Sequence, residues 1–77
     1  MVGNLSLIPN PAKNYFTLNE QIEKAEIYSI TGQLVKSFNK ITSVEYQFNI
    51  EDLNTGVYLV KATNQNNESK TIKLIKQ

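Results

Sequence analysis

Cysteine, histidine, tryptophan and arginine are all missing from this 77-residue chain. With no cysteine there is no disulfide or thiolate–metal staple, so one apolar core must hold a domain near the lower size limit for unaided folding. The same absence leaves the redox compartment open. With neither histidine nor cysteine, the usual general base and thiol nucleophile are gone. No serine lies in a Gly-x-Ser-x-Gly turn, and none has an imidazole to activate it. With no arginine, the eight lysines lack the forked donor favoured in phosphate and base recognition, and a net charge of +1 gives no field that would steer nucleic acid. Long apolar runs are absent too: stretches such as Val57 to Val60 fall far short of the roughly 20 residues that span a bilayer. Met1-Val2-Gly3-Asn4 has neither the basic segment nor the apolar core of a secretion leader, so residues 1–4 read as linker or added residues and 5–77 as one domain. Any export leader is expected on a larger precursor.

Acidic groups are thinly spread. Only Glu51 and Asp52 are adjacent, so paired-carboxylate catalysis would need distant partners brought together by folding. A calcium site there would need about six or more oxygen ligands, and two neighbouring carboxylates do not supply them. The expectation is therefore a chain that is not an enzyme, with no catalytic, metal or cofactor site. The Asn-x-Ser sequons at Asn4 and Asn67 read as chance in a chain rich in asparagine.

What remains is 40% hydrophobic, with three Phe and four Tyr, enough for a thin two-layer core and too much for a disordered segment. Almost everywhere the pattern repeats every second residue, the period of strands with one buried face. Seven strands are predicted, over Leu5 to Ile8, Tyr15 to Leu18, Lys24 to Ile30, Gln33 to Phe38, Val44 to Ile50, Gly56 to Thr63 and Ser69 to Lys76. Pro9 and Pro11 end the first, because they lack the N–H that a ladder needs. Thr31-Gly32 supplies a hairpin turn, and Asn64-Gln65-Asn66-Asn67 a polar one. The cleanest alternation, Val44-Glu45-Tyr46-Gln47-Phe48-Asn49-Ile50, predicts that Val44, Tyr46, Phe48 and Ile50 all face the core. No window repeats apolar residues convincingly at helical spacing, with Asn19 to Glu26 as the one exception to consider. Short strands at roughly ten-residue spacing predict an all-β, seven-stranded antiparallel immunoglobulin-like β-sandwich.

Leu53-x-x-Gly56-x-Tyr58 fits this fold, since a tyrosine near the start of the sixth strand matches the tyrosine corner of Greek-key sandwiches. Its hydroxyl is expected to bond to backbone a few residues upstream. Gly56 is read first as a backbone position favouring φ > 0, ahead of any recognition role.

Three segments in fixed order carry a resemblance. They are Ile8-Pro9-Asn10-Pro11, Ile27-Tyr28 with Gly32-Gln33-Leu34-Val35, and Leu53 and Gly56 through Val60, closed by the basic, β-rich Lys70, Lys73 and Lys76. Taken together they resemble the C-terminal sorting domain of proteins exported by the bacterial type IX secretion system, the Por secretion tail. Ile8 stands where that family often carries an aromatic, an apolar residue for an apolar one. The resemblance implies a domain at the C-terminus of a larger cargo, in transit through the periplasm and then at the outer-membrane surface or outside the cell. Its implied partners are the type IX translocon, its shuttle components and a sortase-like signal peptidase that removes the domain. The candidate sorting residues are Pro9, Asn10, Pro11, Gly32, Gly56, Tyr58, Lys73 and Lys76. The last strand is expected at a sheet edge, with lysine heads available to an acidic receptor, although edge lysines also serve simply to prevent aggregation.

Two further readings stand beside it. One is an immunoglobulin-like binding or spacer module for carbohydrate or protein, which would need surface rings; only Tyr15 and Tyr28 are expected at the surface. The other is weak dimerisation through edge strands.

Overall fold

The computed structural model describes residues 5–77 and contains, among them, seven strands and no helix. Residues 1–4, read above as linker or added residues, lie outside the described residues, as does Asn4 of the first sequon. The strands are β1 (Leu7–Ile8), β2 (Tyr15–Leu18), β3 (Lys24–Ser29), β4 (Leu34–Phe38), β5 (Phe48–Asn49), β6 (Gly56–Thr63) and β7 (Ser69–Lys76). They form two antiparallel sheets, ordered β1-β2-β5 and β4-β3-β6-β7.

Alternation dictates the core. Phe16 and Leu18 of β2, Ala25 and Ile27 of β3, Val60 and Ala62 of β6 and Leu74 of β7 are buried, while their sequence neighbours in each strand are mostly more exposed. These residues join Leu5, Leu7, Ile22, Ile41, Phe48 and Ile50 in one cluster that draws on both sheets. Aromatic rings tie the layers together. Phe48 stacks on Phe16 at 4.9 Å between centroids and meets Phe38 of the other sheet edge-on at 5.2 Å. Offset-stacked and edge-to-face contacts are the geometries that ring quadrupoles favour.

The fifth strand is much shorter than predicted. Only Phe48–Asn49 pairs, through Tyr15↔Asn49 and Phe16↔Phe48, and Val44 and Tyr46 are exposed rather than core. Ser43 explains this locally. Its hydroxyl accepts the Glu45 N–H at 3.0 Å and its carbonyl accepts the Tyr46 N–H at 3.2 Å, which folds 43–46 into a turn. A serine that bonds nearby backbone competes with a ladder in this way. Tyr46 still leans edge-on against Phe48 and Phe38, at 4.9 and 6.3 Å. The first strand is also shorter than expected, though Leu5 remains buried.

At the hairpin between β3 and β4 the Gly32 N–H donates to Ser29 O at 2.9 Å, and Gly32 adopts φ 91°, a left-handed conformation that suits glycine. A register shift between Ile27 and Tyr28 leaves Val35 as an extra residue in β4, a bulge that increases local twist. Asn19 to Glu26 is not helical; Lys24 already begins β3.

Candidate functional site

The candidate sorting residues gather toward one end of the four-stranded sheet. The ladder register runs Ser29↔Tyr58↔Leu74 and Gly56↔Lys76. The β3–β4 hairpin carrying Gly32, the start of β6 carrying Gly56 and Tyr58, and the end of β7 therefore share that end. Pro9, Asn10 and Pro11 are exposed on the corner between β1 and β2, with cis peptide bonds before both prolines.

That corner is fastened to β7. The Asn10 amide donates from Nδ2 to the Lys73 carbonyl at 2.9 Å and accepts the Ile75 N–H on Oδ1 at 3.0 Å. Two atoms of one side chain thus take the places that a neighbouring strand would offer. Backbone continues the pairing: the Ala12 N–H donates to Ile75 O, and the Gln77 N–H donates to Ala12 O, both at 2.8 Å. Ala12 and Lys76 form a parallel bridge. The last strand is a sheet edge, as expected, but its second half, from Lys73 onward, is already covered. Antiparallel alternation sends the outward backbone groups of β7 to its odd-numbered residues, and no strand among the described residues lies beside those around Ser69 and Thr71.

The lysines separate. Lys73 is exposed and points away from the core, on the opposite face from Ile72 and Leu74. Lys76 is only 7% exposed, and its ammonium donates to Gln77 O at 3.0 Å. The expectation that Lys76 offers its charge to a receptor is therefore corrected. Its position has the parity of the buried Leu74, so its stem lies along the apolar interior, as long cationic side chains do when only the head needs water.

Tyr58 donates its hydroxyl to Asn54 O at 2.7 Å, the upstream backbone bond expected of a tyrosine corner. Gly56 has φ 157°, at the border between left-handed and extended backbone, with open space where a Cβ would stand. Near this end, Lys36 of β4 holds Asp52 through contacts of 3.1 and 3.0 Å. This hydrogen bond is the main cause that keeps the Asp52 carboxyl below its ordinary value. Glu51 accepts the Asn49 amide at 3.1 Å. Among the described residues no group of three or more His, Cys, Asp or Glu could hold a metal ion. Nor is any helix among them long and apolar enough to cross a membrane. A shallow hollow of about 220 Å³ at the β6–β7 turn is lined by the amides Gln21, Asn64, Gln65 and Asn66, away from the candidate residues.

Two features escaped sequence reasoning. The Asn10 clasp joins positions 65 residues apart, and no local pattern encodes it. The other is that β6 is apolar on both faces: Tyr58, Val60 and Ala62 point inward, while Val57 and Leu59 lie exposed on the outside. The unbroken run Gly56-Val57-Tyr58-Leu59-Val60 carried that signal, because a strand with one wet face would alternate.

Comparison with known families gives a match, over residues 6–77, to the family described as "Secretion system C-terminal sorting domain". Comparison with curated proteins and with solved structures gives no match.

Proposed function

The chain belongs to the Por secretion tail family, the type IX secretion C-terminal sorting domains, and from that premise we propose that it directs an attached cargo across the outer membrane and is then cut away by a sortase-like peptidase. The observation that carries this reading is the family match over residues 6–77, nearly the whole chain. The family is one of secretion signals rather than catalysts, and it points to export toward the cell surface or the extracellular space. In this reading the cargo precedes residue 5, passes first through the periplasm, and is handed by the domain to the translocon and its shuttle components. The Pro9–Pro11 corner and the exposed Lys73 are the recognition elements we favour.

The same proposal takes the fold to be an immunoglobulin-like sandwich. Sheet orders β1-β2-β5 and β4-β3-β6-β7 correspond to strands A-B-E and C′-C-F-G of that architecture, and the Tyr58 bond supports the correspondence.

The test fuses residues 1–77 behind a periplasmically exported fluorescent protein in a bacterium with a type IX system and in a matched strain lacking the translocon. Translocon-dependent fluorescence outside the cell, with the domain removed, is the expected result. Retention of intact fusion in the periplasm of both strains would refute the reading.

A further inference from the structure

Nothing among the described residues covers the outer face of the four-stranded sheet, and its chemistry is divided. Toward the β3–β4 hairpin the ladder aligns Leu34, Tyr28, Leu59 and Lys73 in one row and Val57 with Ile75 in the next. Ile30 sits on the adjoining turn, and with Leu34, Val57, Leu59 and Ile75 it is between 36% and 70% exposed. Together these side chains present on the order of 400 Å² of apolar surface, the size of the largest patch on an ordinary monomer, which is often a functional one. The remainder of the face is polar and cationic. Lys24, Lys61 and Lys73 are exposed there, and the one carboxylate of the face, Glu26, stands opposite Lys61. Lys73 faces Leu59 across the ladder, not an acid.

We infer that this face docks a protein partner whose own surface is apolar and bordered by carboxylates, and that the contact is transient. The inference rests on the sorting reading, because it names a surface, beside the Pro9–Pro11 corner, by which the export machinery holds the domain. Charge selects the occupant. A second copy laid face to face would bring lysines against lysines, whereas carboxylates around an apolar partner would meet them with complementary potential and speed the encounter. Area sets the lifetime, since a patch of this size is about half of what each partner of a standard stable complex buries. A signal that passes between components needs such a grip. Aliphatic side chains dominate the patch, and Tyr28 is its one ring, fewer than the belt of tryptophan and tyrosine that anchors proteins at membrane surfaces.

The decisive experiment uses the reporter fusion with three variants. Lys61→Glu/Lys73→Glu reverses the border, Leu59→Ser wets the centre, and Lys13→Glu/Lys40→Glu makes the same charge change at exposed lysines off this face. Thermal melts of the purified fusions establish that each is folded. With the wild-type fusion exported, the two face variants are expected to lose at least about tenfold of translocon-dependent secretion and the control less than about twofold. Secretion of the face variants at the wild-type level would overturn the inference, and so would an equal loss in the control. Wild-type retention would instead defeat the sorting reading, and the inference with it. Sedimentation with phosphatidylglycerol vesicles that the Lys61/Lys73 reversal abolishes would assign the face to lipid. Concentration-dependent light scattering that Leu59→Ser abolishes would assign it to a second copy. Either result overturns the inference.

Discussion

Replacing Asn10 with alanine removes both arms of the clasp on β7 while leaving the backbone between Pro9 and Pro11 intact. The lost bonds are the 2.9 Å donation to Lys73 O and the 3.0 Å acceptance from Ile75 N–H. A net hydrogen bond contributes about 0.5–1.5 kcal/mol, so a pair totals about 1–3 kcal/mol. Both lie at the exposed rim, where water can replace the lost partner, which places Asn10→Ala in the lower half, at about 1–2 kcal/mol. For a domain of this size each kcal/mol lowers Tm by about 4–8 °C, so a fall of about 4–16 °C is expected in a circular-dichroism melt. The urea midpoint should fall with its slope unchanged, since no extra surface is exposed in the native state. A residue-specific readout accompanies the melt: the Ile75 amide should exchange with solvent at least several-fold faster, while the Val60 amide at the sheet centre follows only global stability. An unchanged melt with an unchanged Ile75 amide would show that the clasp holds nothing, and the account of how the corner is fixed would fail.

Tyr58→Phe removes the 2.7 Å bond to Asn54 O without altering the ring's packing, and should cost about 0.5–1.5 kcal/mol by denaturant midpoint. Gly32→Ala should cost about 1–2 kcal/mol from backbone conformation alone, because φ is 91° and no atom lies within 4 Å of the added methyl. A synthetic chain with D-alanine at that position should recover the loss. Phe48→Ala, which empties a buried site contacting three rings, should cost about 3–5 kcal/mol and leave little folded protein at 37 °C by near-ultraviolet dichroism. Asp52, whose folded-state pKa is depressed by the Lys36 hydrogen bond, contributes stability above its ordinary value that is lost as pH falls through the depressed one. A carboxyl-carbon NMR titration should therefore show its midpoint rising in Lys36→Met.

Much of the fold was legible because the local rules agree with one another. Period-two apolar residues, two prolines in a single corner and a glycine at a left-handed turn each place a strand boundary within a residue or two for β2, β3, β4, β6 and β7. Strand five failed where two local signals competed. Its alternation favoured a long strand, but the Ser43 hydroxyl captured Glu45 N–H and turned the chain before Tyr46 could pair. The candidate residues were legible as positions but not as an arrangement. That Asn10 reaches β7, that Lys76 points inward and that Val57 and Leu59 stay uncovered all depend on which strands become neighbours. Spacing within a strand reports its own two faces, not what lies across them.

The parallel bridge between Ala12 and Lys76, with the Asn10 clasp beside it, also has a mechanical meaning. Tension applied between the chain before Pro9 and the end of β7 draws two parallel segments in opposite directions along their common axis. The bonds of Asn10 and Ala12 are then loaded in shear, so they must break together, whereas peeling a hairpin breaks one bond at a time. A domain gripped by its last strand while a heavier body hangs from its first would hold as a clamp, its resistance set by four short hydrogen bonds that span nearly the whole sequence.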